Sequence, residues 1–101
     1  MADADRRRAE NAAFCEFLRA QIDGHGLSQR EIAARMGYEK PHIVSMFKLG
    51  ETRVPLEKVP SMAEALGVDP VDLFVRVLAC YAPDMSDMLR ARLGTTGGAA
   101  A

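Results

Sequence analysis

The side chains best equipped for chemistry in this chain are cations and amides rather than nucleophiles. Residues 28–58 hold six basic side chains (Arg30, Arg35, Lys40, Lys48, Arg53 and Lys58) against four acidic ones (Glu31, Glu39, Glu51 and Glu57). From residue 61 onward the balance reverses, three arginines facing five acids. The net charge of −1 therefore conceals a middle section able to carry a basic face, and for an anionic partner the distribution of charge matters more than its sum. A second basic run, Arg6-Arg7-Arg8, reads either as a solvated helix start or as an arm that grips a phosphate backbone. Other chemistries lack their parts. His25 and His42 have no carboxylate or second histidine at ligand spacing, and Cys15 and Cys80 belong to no Cys-x-x-Cys or Cys/His cluster. No glycine-rich loop follows a strand, and no nucleophile–base set stands out. We therefore expect no enzyme, metal, cofactor or small-molecule ligand, and expect both cysteines to serve as small hydrophobes.

The elements that must position the basic section are helical. The 101 residues suffice for one compact domain, and with 6% aromatic residues and no Trp the core must be built from Leu, Ile, Val, Ala and Met. Residues 1–5 are expected to be disordered. From Arg6 to Asp23 there is no Gly or Pro, and Ala13, Phe14, Phe17, Leu18 and Ile22 form the stripe of an amphipathic helix stopped by Gly24. Ser28, with Glu31 three residues later, forms a capping box that opens a short second helix. Its apolar face is Ile32, Ala33 and Met36, and Gly37 ends it. A turn over 38–40 leads to Pro41, which suits a first helical position. Ile43, Val44 and Phe47 then face inward along a third helix closed by Gly50, leaving His42, Ser45, Met46 and Lys48 for its outer side.

After a loop over 51–55, residues 56–66 form a helical turn plus helix, with Val59, Met62, Ala63 and Leu66 inward. Asp69-Pro70 is an N-cap followed by an N1 proline, opening a fifth helix to about Tyr81 with apolar Val71, Phe74, Val75 and Leu78. Beyond Pro83, Met85, Met88, Leu89 and Leu93 suggest one more short helix, and the Gly/Thr/Ala tail 94–101 is expected to be disordered. The domain is thus bounded at 6–81, with a helical extension at 82–93. No apolar stretch is long enough to cross a bilayer, and the charged first ten residues precede no signal-peptide core, so a cytoplasmic chain without membrane contact is expected.

Two short helices joined by a tight turn have the geometry of a helix-turn-helix, in which the first helix crosses the phosphate backbone and the second lies in the major groove. The stretch 27–37 (Leu-Ser-Gln-Arg-Glu-Ile-Ala-Ala-Arg-Met-Gly), then Val44-Ser45 and Gly50, resembles the Cro/C1-type (XRE-like) helix-turn-helix family of phage repressors and bacterial regulators. Residues 55–74, including Ala65-Leu66-Gly67-Val68, resemble that family's closing helices.

The resemblance implies an all-α, five-helix lambda-repressor-like domain with a short C-terminal helical extension, binding double-stranded DNA through helix 41–49. It places Lys40, Pro41, His42, Ser45 and Met46 at the bases, and Ser28, Gln29, Arg30, Lys48 and Arg53 at the phosphates. Departures stand out: the interval from Gly37 to Gly50 is one residue longer than the common pattern, a lysine stands where the family often has glutamate near the end of the third helix, and a proline replaces a polar reader. Among these residues, Ser45 and Met46 could equally be packing residues, and the cations could be solvated surface charges.

Such modules usually act as two-fold dimers, so a homodimeric transcriptional repressor is the expected activity. The apolar surplus of the C-terminal segment, with Phe74, Leu78, Met85, Met88 and Leu89, offers a dimer surface or else folds back onto the core, and Met62 is a further methionine suited to such a contact. The alternative is a helix-turn-helix protein-interaction module, antitoxin-like or a phage adaptor, that does not read DNA. The near-neutral charge and apolar C-terminus favour that alternative, whereas the capping box, Gln29 and the Lys40, Lys48 and Arg53 cluster favour DNA.

Overall fold

The chain folds, in a computed structural model, as six α-helices and one 3-10 turn; residues 2–100 are described, with side chains over 3–93. The helices are α1 Ala2–Gly24, α2 Gln29–Arg35, α3 His42–Leu49, α4 Val59–Leu66, α5 Pro70–Tyr81 and α6 Pro83–Ala100, with the 3-10 turn Leu56–Lys58 leading into α4. No strand occurs among the described residues. The all-helical class therefore stands, with one helix more than the five-helix frame.

Helix α1 already starts at Ala2, where Asp3 and Asp5 complement the positive end of the helix and Asp5 pairs with Arg8 at 3.1 Å. Met1 and Ala101, which belong to the two segments expected to be disordered, lie outside the described residues.

One core unites the elements. Phe14, Leu18 and Ile22 from α1 meet Ile32, Ala33 and Met36 around α2, Val44 and Phe47 from α3, and Val59, Met62, Ala63 and Leu66 from α4. Leu73, Val77 and Cys80 of α5 close it. Met62 is fully buried there, so it is a packing residue and unavailable as a contact surface. Helix α5 is central, packing on α1, α4 and α6. That position explains a shift in its stripe: Leu73, Val75, Val77, Leu78, Ala79 and Cys80 are all buried, whereas Val71 stands 52% exposed.

Helix α6 folds back onto the domain. Its inward residues are Pro83 and Ser86, with Leu89 half-buried, while Met85 and Met88 stay exposed. The buried Ser86 hydroxyl donates to the Val75 carbonyl at 2.8 Å, and Arg6 of α1 reaches Asp87 and Asp84 on α6. The Arg6 guanidinium also holds the Asp87 carboxyl below its usual range through a hydrogen bond.

Candidate nucleic-acid interface

Helix α2 starts where Ser28, in extended backbone, accepts the Glu31 N–H on its Oγ at 3.2 Å. Only this half of the expected capping box forms. The Glu31 carboxylate turns instead to Arg35, one helical turn on, at 3.2 Å. The far end of α2 is tied from outside the motif: the Lys58 ammonium donates to the Met36 carbonyl at 2.8 Å and lies 5.0 Å from the centre of the Tyr38 ring. Tyr38 in turn sets its edge against Phe47, with ring centres 6.1 Å apart. The turn between the two helices is thereby fixed by one cation and two aromatic rings. Lys58, with the look of a surface charge in the sequence, is a structural residue.

Helix α3 is two-sided. Val44 and Phe47 are buried and Ile43 packs beside them. On the other side His42 and Leu49 are exposed, with Ser45 and Met46 half-buried between them. Positions 42, 45, 46 and 49 follow the i, i+3, i+4, i+7 spacing of a single helical stripe. Pro41 precedes α3 in helical backbone and is half-buried, and Lys40 is exposed in the turn. His42, Ser45 and Met46, three of the five residues expected at the bases, thus share one side of α3, and Lys40 and Pro41 precede them in the turn. Leu49, seven residues on from His42, extends this side of the helix beyond the residues the sequence points to; at 65% it is among the most exposed large hydrophobic residues described.

The residues expected at the phosphates divide into groups. Ser28 and Arg30 are exposed and Gln29 is half-buried at the first turn of α2, and no ion pair engages Arg30 or Lys40 among the described residues. Arg53 is exposed in the loop after α3, its guanidinium 5.3 Å from the Tyr81 ring centre. Lys48 differs. Its side chain is only 14% exposed and its ammonium meets Asp23 at 2.9 Å, while Arg19 donates to the Lys48 carbonyl at 3.1 Å. These contacts bolt the C-terminal end of α3 onto α1, which makes Lys48 a positioning residue in the free protein. Gly50 then reverses the chain with φ +76° directly beside Cys15 and Asn11.

Of the residues expected in a dimer surface, Leu78 is buried within its own chain and drops out. Met85 and Met88 are 54% and 62% exposed, and Phe74 and Leu89 are half-buried. Phe74 also lines an apolar groove of about 350 Å³ with Leu56, Val59, Pro60, Pro70 and Val71.

Catalytic chemistry finds no foothold in the cysteines. Burial pushes the Cys15 thiol up and the Cys80 thiol up to about 11, the opposite of what a nucleophilic thiolate needs. Among the described residues no group of His, Cys, Asp and Glu side chains could hold a metal ion, and no helix is long and apolar enough to cross a membrane.

No curated protein and no solved structure matches the chain. A family model described as Helix-turn-helix does match, over residues 18–73, which is more than half of the sequence and spans α2, the turn, α3 and the closing α4 and α5 start. With the paired short helices, the fixed turn and the outward strip of α3 in place, the chain belongs to the Cro/C1-type helix-turn-helix family of DNA-binding regulators.

Proposed function

We propose that this protein is a sequence-specific transcriptional repressor that binds double-stranded DNA as a homodimer, with α3 in the major groove. The observation that carries this reading is the two-sidedness of α3: its core side is filled by Val44 and Phe47, while His42 and Leu49 stand exposed and Ser45 and Met46 half-exposed on the other side, with Lys40 and Pro41 just before the helix. A helix of this diameter fits the major groove, where donors, acceptors and the thymine methyl distinguish all four base pairs. His42 and Ser45 supply polar contacts to base edges, and Met46 and Leu49 supply apolar ones. Ser28, Gln29 and Arg30 at the start of α2 meet the adjoining phosphates, which fix register without carrying sequence information.

A single module reads few base pairs, so a two-fold pair on half-sites about 34 Å apart supplies the remaining specificity. The exposed Met85 and Met88, with Phe74 and its groove, are the surface we assign to that pairing. Repression needs only occupancy of the operator, which a domain of this kind provides.

The test is retention on a random double-stranded DNA pool followed by sequencing. Recovery of a palindromic motif, lost in the His42→Ala/Ser45→Ala/Met46→Ala variant, is the expected result. No enrichment, or weak retention that vanishes as salt rises, would instead support a module that binds protein.

A further inference from the structure

We propose a second DNA-backbone site outside the helix-turn-helix itself: a cradle in which Arg7, Arg8 and Arg53, with the Asn11 amide, take phosphates of the duplex beyond the C-terminal end of α3. The inference rests on the DNA-binding reading above and extends its footprint.

The sequence separates these residues widely, but the fold brings the early turns of α1 and the loop after α3 together. Ala4, Arg7, Arg8, Asn11 and Arg53 line one open concavity of about 320 Å³. The lining holds three guanidinium groups and one amide, and no carboxylate. Arg7 and Arg53 make no ion pair among the described residues, and Arg8 pairs only with the exposed Asp5. In a chain with 14 acidic residues to 13 lysines and arginines, three arginines lining one concavity, with only Asp5 ion-paired to any of them, stand out. Guanidinium groups suit phosphate because their planar forks donate two hydrogen bonds to one anion.

The cradle is also prepared and placed. Arg53 rests on the Tyr81 ring, and the Tyr81 hydroxyl donates to the neighbouring Val54 carbonyl at 2.8 Å, so the loop carrying Arg53 is held before any ligand arrives. Asn11 lies against Gly50, the residue that caps α3: a Cβ built there would sit 3.1 Å from the Asn11 amide nitrogen. The concavity therefore begins where α3 ends, and with α3 in a groove as proposed above we set it against the backbone strand running past that end. The adjacent Arg6 does not take part, since it is spent on Asp84 and Asp87 of α6. The basic run thus divides its labour, Arg6 holding the fold and Arg7 and Arg8 remaining for an anion.

The experiment compares wild type, Arg7→Ala/Arg53→Ala and Arg7→Lys/Arg53→Lys on a random-sequence duplex across a salt series. Thermal melts confirm that each variant is folded. Each phosphate contact contributes about 0.9 to the slope of log affinity against log salt, so the alanine pair should lower that slope by about 1.8. The lysine pair should keep most of it, and any selected sequence preference should survive in both. Wild-type binding with an unchanged slope in the alanine pair would overturn the cradle and leave the DNA-binding reading intact. Absence of wild-type binding would overturn both. Tight, saturable binding of inorganic phosphate at constant ionic strength, lost in the alanine pair, would reassign the cradle to a small free anion.

Discussion

Replacing Gly50 by alanine should damage this protein more than the same change at Gly67, and the difference measures how closely α3 is seated on α1. Both glycines cap a helix with similar backbones, φ +76° at Gly50 and φ +73° at Gly67. A left-handed conformation costs an L-residue about 1–2 kcal/mol, and loss of glycine's freedom in the unfolded chain returns about 0.4–1 kcal/mol of it. Gly67→Ala should therefore cost about 1 kcal/mol, because a Cβ there meets nothing within 4 Å. At Gly50 the added carbon would lie 3.0 Å from Cys15 Sγ and 3.1 Å from Asn11 Nδ2, and Cys15 is itself buried. Overpacking of this kind adds about 1–3 kcal/mol, for a total near 2–4 kcal/mol. In a domain of this size each kcal/mol lowers Tm by about 4–8 °C. Circular-dichroism melts of the two variants and of Gly50→Ala/Cys15→Ala read the effect directly. Trimming Cys15 opens a small gap but removes the closest contact, so the double variant should recover part of the Gly50→Ala loss. Equal destabilisation at the two glycines, or no recovery on removing the thiol, would refute the argument that α3 is packed tightly at this point.

Three further outcomes follow from the contacts described. Leu49→Ala should leave the melting temperature nearly unchanged, since its side chain is 65% exposed, while altering the sequences retained in the DNA selection; an unchanged motif would remove Leu49 from the reading strip. Tyr81→Phe deletes the hydroxyl that holds the Val54 carbonyl and should cost about 1 kcal/mol in urea unfolding, with a loosened Arg53 loop visible as faster amide exchange over 51–55. Acid should weaken the α1–α6 contact. The Asp87 carboxyl is held low by Arg6, so its contribution is complete above the ordinary carboxylate range and is lost as pH falls through its lowered folded value. Asp87→Asn should therefore flatten the acid limb of the stability profile, and an acid limb identical to wild type would count against the Arg6 link.

The sequence made the motif legible because local rules and tertiary demands agree there. Ser28, Gly37, Val44, Phe47 and Gly50 each do in the fold what their type and spacing predict. What escaped depends on partners remote in sequence. The composition of α5 shows apolar residues on several sides, and only its central place between α1, α4 and α6 decides that Leu78 is buried and Val71 is not. Met85, Met88 and Leu89 read equally as a dimer surface or as a face folded back onto the core; Pro83 and a hydrogen-bonded Ser86 form the docked face of α6 and leave both methionines exposed. Lys48 and Lys58 read as surface cations because their acceptors, Asp23 and the Met36 carbonyl, lie 25 and 22 residues away. Of the site, the outward strip of α3 was visible apart from Leu49, whereas the meeting of Arg7 with Arg53 depends on a fold that no local pattern encodes.

The two-sidedness of α3 has a consequence for how such a protein can diversify. The groups that hold the helix in place, Val44, Phe47, the Lys48–Asp23 pair and the Arg19 contact to the Lys48 carbonyl, are separate from His42, Ser45, Met46 and Leu49. Substitutions on the outer side of α3 disturb few contacts on which folding relies, so under the proposed DNA-reading role a duplicated copy could drift to a new operator through stable intermediates. Two copies in one cell could then come to act on separate targets while keeping the same scaffold.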